Sequence, residues 1–220
     1  MYSSSDSESE LLRFKVILLG DGAVGKTSTV YRFVDDYFAK SYKQTVGLDF
    51  FSRNIDFPND TRVTLQLWDI GGQTIGSKML SKYIYGSHAI ILVYDITNLQ
   101  SFHNLHDWLN IVRRTYQDES LPHLILLGTK TDLAHLRMVK PDKHNDFARE
   151  NDMSSFFLSA KTGDNVNAVF HRIAADLAHV PLSKHDVEAA SKVVPAQIVN
   201  HSVSSSNEQN NEDKKGCCIM

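Results

Sequence analysis

The stretch FKVILLGDGAVGKT, residues 14–27, decides the fold. Its first half, Phe14 to Gly20, is mostly apolar and reads as a buried strand that runs into a glycine loop. Its second half, Gly20 to Thr27, fits G-x-x-x-x-G-K-[ST] in full, with a strand before it and a helical stretch after it, as the motif needs. Gly22 and Gly25 let the backbone curl so that successive N–H groups point at phosphate oxygens, at a helix N-terminus that favours negative charge. The phosphate-binding set is Gly22, Ala23, Val24, Gly25, Lys26, Thr27 and Ser28. Lys26 reaches the outer phosphates and the Thr27 hydroxyl is placed for Mg2+. The loop by itself specifies a nucleoside triphosphate and leaves the base open.

Outward from this loop, strands and helices alternate. DFFSRNIDF and RVTLQLWD, residues 49–57 and 62–69, read as a hairpin around a turn with Pro58 and Asn59. AIILVYDI (89–96), HLILLGTK (123–130) and FFLSA (156–160) are further strands. Val166, Val169, Phe170, Ile173 and Leu177 mark a helix, with Asp164 or Asn165 as its N-cap. The pattern predicts an α/β fold: a six-stranded, mostly parallel sheet with one antiparallel hairpin and helices on both faces. In such folds ligands sit at the carboxyl ends of the strands.

Three further motifs end at that edge. In GTKTD (128–132), the Asp132 carboxylate is suited to accept both N–H donors of guanine, a pair that adenine lacks, and Lys130 can lay its aliphatic stem along the base. SAK (Ser159, Ala160, Lys161) follows the last strand and offers a backbone N–H to the guanine oxygen. In WDIGGQT (68–74), Asp69 is placed for a Mg2+-bound water, Gly72 for the γ-phosphate, and Gln73 to orient an attacking water. Thr45, in YKQTVG, is spaced to give Mg2+ a second hydroxyl. A P-loop kinase or ATPase is disfavoured by Asp132, and a module that binds without turnover by Gln73.

This ordered set resembles the small GTPases of the Ras superfamily. VGLDFF (46–51) and LVYDIT (92–97) are similar to the Rab family, and KQTVGLDFF with WDIGGQTIGSKMLSKYIYG to its divergent subfamily numbered twenty-eight. The resemblance implies a P-loop GTPase domain over residues 13–182 and a Mg2+-dependent switch that hydrolyses GTP to GDP and recruits effectors in vesicular traffic. It implies an exchange factor and a GTPase-activating protein as partners. It gives Phe38 the place of a ring stacked on guanine, adds Thr129 to the base-binding set, and makes Phe50, Trp68 and Tyr83 an effector-facing triad. Thr129 stands where most members have Asn, Gly71 where Ala is usual, and TIGSKML (74–80) where a Glu-Arg-Phe-rich segment is usual.

The ends read differently. Residues 1–12 are expected to form an acidic, disordered tail, neither a signal nor a transit peptide, and Tyr2 excludes myristoylation. Residues 183–220 are expected to be a flexible tail. Its end, CCIM, fits C-a-a-X with Cys217 prenylated, either by one farnesyl or by geranylgeranyl groups on both Cys217 and Cys218. One chain anchors reversibly, and Lys214 and Lys215 are offset by Glu212 and Asp213. The expectation is cycling between the cytoplasmic face of membranes, ciliary or endosomal among them, and the cytosol, with a prenyl-binding carrier. A net charge of −3 gives no case for nucleic acid.

Overall fold

A computed structural model describes residues 11–183 except 40, 42, 59 and 118, and beyond them residues 186, 190, 193 and 197–199. The strands are β1 (Leu11–Leu19), β2 (Tyr37–Ala39), β3 (Leu48–Asp56), β4 (Arg62–Ile70), β5 (Ala89–Asp95), β6 (His123–Thr129), β7 (Ser154–Phe157) and β8 (Gln197–Val199). The helices are α1 (Lys26–Asp35), α2 (Leu80–Ile84), α3 (Leu99–His103), α4 (Leu105–Thr115), α5 (Pro141–Glu150) and α6 (Val166–Ala178). The main sheet has six strands in the order β3-β4-β1-β5-β6-β7. Only the β3–β4 pair is antiparallel, which is the expected hairpin.

Alternation along the strands builds two cores. Val16, Leu18, Ile91, Val93, Ile125 and Leu127 face one side, under Val30 and Phe33 of α1 and Phe170 and Ile173 of α6. Phe33 and Phe170 stack with centroids 4.1 Å apart. Ile17, Leu19, Ile90, Leu92 and Leu126 face the other side, under Leu80 and Ile84 of α2, Trp108 and Val112 of α4, and Phe147 of α5. Each fully buried Leu or Ile contributes about 1.5–3 kcal/mol, so continuous apolar runs on central strands are the cheapest way to support helices on both faces.

Some boundaries differ from the sequence pattern. β1 starts at Leu11, two residues inside the stretch expected as tail, because Leu11 and Leu12 continue the parallel ladder against Arg62 and Val63. The last sheet strand stops at Phe157, because Ser159 turns the chain: its carbonyl accepts the Gly163 N–H at 2.8 Å. Asn165 does occupy the N-cap of α6, but its side chain makes no cap bond and donates to the Phe157 carbonyl instead. A short strand, β8, lies within residues 183–220 and pairs in parallel with β2, joining Phe38 to Ile198. Asn59, residues 1–10 and the prenylation motif with Cys217 and Cys218 lie outside the described residues.

His144 of α5 is fully buried, stacked on Phe157 and hydrogen-bonded through Nδ1 to the Tyr94 hydroxyl at 2.9 Å. Burial, helped by the charge of Arg137, pushes its pKa down to about 4. The unfolded chain carries this imidazole at its ordinary value of about 6.5. Acid therefore protonates the unfolded state first, and the stability present above about pH 6.5 is lost toward pH 4, on the order of 3 kcal/mol from this group. His144→Gln titrates nothing, so its urea-unfolding stability should converge on that of the native chain across this window. Parallel curves would contradict the assignment.

Candidate functional site

Strand order brings the motifs together. β1, β4, β5 and β6 all run the same way, so the P-loop, Asp69, Asp95 and the 128–132 loop leave the sheet at one edge. There they frame a cleft of about 820 Å³ lined by Gly22, Lys26, Thr27, Phe38, Lys130 and Asp132, among others.

The phosphate end is built by backbone. Gly25 caps α1 with φ 102°, a conformation that suits glycine, and no side chain caps the helix or places acid in its first turn. The helix N-terminus is thus turned toward the cleft with its positive pole. Ala23, Lys26, Thr27 and Ser28 line the cleft, whereas the Val24 side chain is buried in the core. Lys26 donates to the carbonyls of Gly20 and Asp21 at 2.7 and 2.6 Å. Burial lowers its pKa to about 8, with Asp69 and Asp21 pulling the other way.

Thr27, Thr45 and Asp69 meet at one point. The Thr27 hydroxyl lies 2.7 Å from that of Thr45 and 2.5 Å from Asp69 Oδ2, and Thr45 reaches the same oxygen at 3.4 Å. Asp69 is fully buried, its other oxygen makes no hydrogen bond with any described residue, and burial raises its pKa. Two hydroxyls and one carboxylate with an unused oxygen are hard oxygen donors that fit Mg2+, which binds few protein ligands beside phosphates and water.

Gly71 and Gly72 follow in close contact with both neighbours. A Cβ on Gly71 would lie 2.5 Å from the Thr45 carbonyl oxygen, and one on Gly72 would lie 2.2 Å from the Gly22 nitrogen. Neither partner is a side chain that could move aside. Gly72 lines the cleft, while Gln73, in the short 3-10 turn Gly72–Thr74, is exposed and does not.

At the base end, Asp132 is held by the Ser159 hydroxyl at 2.7 Å and by Lys161 at 3.6 Å. Ser159 is buried and does not line the cleft, so its side chain acts on Asp132; Ala160 and Lys161 do line it. Lys130 sits in the left-handed region with φ 63°, and Asp95 takes its ammonium at 2.7 Å, which leaves the stem along the cleft. Asp95 was not singled out by sequence, although it ends an apolar strand just as Asp69 does. Thr129 lines the cleft, yet its hydroxyl is within reach of the carbonyls of Val24, at 2.5 Å, and Tyr94, at 3.0 Å. It therefore ties the base loop to the P-loop. Phe38 lines the cleft from β2.

Away from the cleft, Phe50 is 55% exposed and packs edge-on against its cross-strand partner Trp68, with centroids 5.9 Å apart. Lys15 lies 4.4 Å above the Trp68 ring. Tyr83 is half-buried in the same core as Trp68.

The family model "Ras family" matches residues 15–179. "Ras-related protein Rab-28" of Caenorhabditis elegans is 45% identical over 186 residues, which is 84% of this chain and 75% of that relative.

Because the Thr129 hydroxyl is the link between the base loop and the P-loop, Thr129→Val should cost about 1–3 kcal/mol, the effect of leaving buried acceptors without a donor. Urea unfolding measures this; an unchanged midpoint would contradict the link.

Proposed function

The chain belongs to the Ras family as a Rab-type small GTPase, a switch of intracellular traffic that hydrolyses GTP, and on that premise we propose how its own residues run the cycle. The observation that carries the reading is the convergence of the P-loop with Asp132, whose carboxylate is fixed by Ser159 and Lys161 and faces the same cleft.

Asp132 accepts the two N–H donors on the Watson–Crick edge of guanine, between the stem of Lys130 and the ring of Phe38. The Ala160–Lys161 backbone meets the guanine oxygen. The N–H groups of residues 22–28 and the Lys26 ammonium hold the phosphates, whose charge the N-terminus of α1 favours. Thr27, Thr45 and, through water, Asp69 would hold Mg2+, which would neutralise phosphate charge. Gly72, whose Cα lies against the P-loop backbone, donates its N–H to the γ-phosphate. Gln73, next in sequence, orients the attacking water from its exposed turn. Turnover is slow without an activating partner, because phosphoryl transfer here depends on positioning and charge and no described arginine lines the cleft.

The third phosphate then decides the shape of two segments. Thr45 and Gly72 hold the loops near residues 45 and 72 while it is present and release them once it is cleaved. Effectors read the ordered state through Phe50, Trp68 and Tyr83. Cys217, with or without Cys218, carries the prenyl anchor, and none of the described helices is long and apolar enough to cross a membrane.

Base selection gives the sharpest test. Xanthine presents a carbonyl where guanine presents its amino group, so an amide at position 132 matches xanthine and mismatches guanine. Asp132→Asn should weaken GDP binding by about 10²-fold or more and transfer preference to xanthosine diphosphate, read by competition against a labelled nucleotide. Undiminished preference for guanosine nucleotides would overturn the reading.

A further inference from the structure

Asp21 stands inside the P-loop motif at a position where the motif specifies no residue. Its carboxylate does not face the phosphates. Oδ2 accepts from Asn104 Nδ2 at 2.6 Å, and Oδ1 accepts from the indole Nε1 of Trp108 at 3.0 Å. Asn104 is the N-cap of α4 and Trp108 lies one turn further along, so two donors at i and i+4 converge on one anion. Trp108 is fully buried, and Asn104 Oδ1 is itself fixed by Gln100 Nε2 at 2.7 Å. Both grips are charge-assisted, and both donors are held in place by other contacts.

The backbone of the same residue forms the floor of the phosphate end. The Asp21 carbonyl accepts from Lys26 at 2.6 Å. A Cβ on Gly72 would lie 2.4 Å from the Asp21 carbonyl carbon. Gly72 therefore docks directly on the backbone of the residue whose side chain α4 grips. At its other end, α4 is followed by Tyr116, whose hydroxyl bonds Ser87 and the carbonyl of Ile84, the last residue of α2. Helix α2 lies downstream of Gly72 and Gln73. Over its 11 residues, about 16 Å of rise, α4 spans from the P-loop to the end of that segment.

From this we infer that Asp21 is a positioning residue for the triphosphate state: the Asn104–Trp108 grip sets the height of the floor on which Gly72 docks. The inference rests on the reading that Gly72 meets the γ-phosphate. With GDP the floor has no such partner, so the grip acts on the two nucleotide states unequally. A merely structural contact would act on both alike.

The test uses the full-length chain with Asp21→Asn, which keeps the shape but turns an amide toward one of the two donors, and with Asn104→Ala, which leaves Asp21 charged. Dissociation of a fluorescent non-hydrolysable GTP analogue and of fluorescent GDP is measured with Mg2+. Both variants should release the GTP analogue about tenfold faster, the loss of one charge-assisted bond, while GDP release changes by less than about threefold. The chain has two tryptophans, so its two indole N–H resonances can be assigned with Trp108→Phe. The Trp108 signal should move upfield in Asp21→Asn and should differ between the GDP and GTP-analogue states of the native chain. Equal acceleration of both nucleotides, tighter binding of both through relief of charge repulsion, or an indole signal indifferent to Asp21 would each overturn the inference. Failure of the native chain to bind the GTP analogue would instead defeat the underlying reading of the site.

Discussion

Everything at the ligand edge depends on how β1 ends. After Leu19 the chain must leave the centre of the sheet and begin a helix within six residues, with the strand β5 pressed against it. Gly20 does this at φ 145°, where a Cβ would sit 2.1 Å from the Val93 carbonyl oxygen, and Gly25 closes the turn at φ 102°. A side chain at either position would be strained by conformation, and at Gly20 by overlap as well. The tightness of this turn aims the N-terminus of α1 into the cleft, seats Lys26 on the carbonyls of Gly20 and Asp21, and lets Thr129 reach the Val24 carbonyl.

The two halves of the cleft are held by different means. The base half is tied to buried structure: Asp132 to Ser159, Lys130 to Asp95, Thr129 to the P-loop. The phosphate-facing loops rest on few contacts, chiefly the hydroxyls of Thr45 and Thr27 on Asp69 and the bare backbones of Gly71 and Gly72. Around them Val46 is 89% exposed, and Phe50, Ile75 and Met79 also present apolar surface. Few buried contacts beside exposed apolar groups are the marks of segments at the low-stability end of a fold.

The sheet, its one antiparallel hairpin and the two-sided cores were legible because alternation and strand length are local properties of the chain. The residues that converge at this sheet edge were legible where chemistry follows from spacing, as with Lys26, Thr27, Asp69 and Asp132. Roles created by long-range packing were not. The hydroxyl of Ser159 holds Asp132, and Asp95 and Asp21 took their partners from residues far along the chain. Thr129, placed with the base, also braces the P-loop, since its short hydroxyl on the last residue of β6 reaches the carbonyls of Val24 and Tyr94. The strand β8 fell within residues 183–220, read as one flexible tail, because three residues are too short for a pattern and its ladder needs only a backbone and an edge of β2.

Hydrogen exchange read by mass spectrometry, on the native chain loaded with GDP or with a non-hydrolysable GTP analogue, measures the central claim directly. Amides in residues 43–47 and 71–79 should exchange much more slowly with the analogue, while those of β6 and the 159–163 loop should exchange alike in both. Identical protection of the two segments in both states would contradict it.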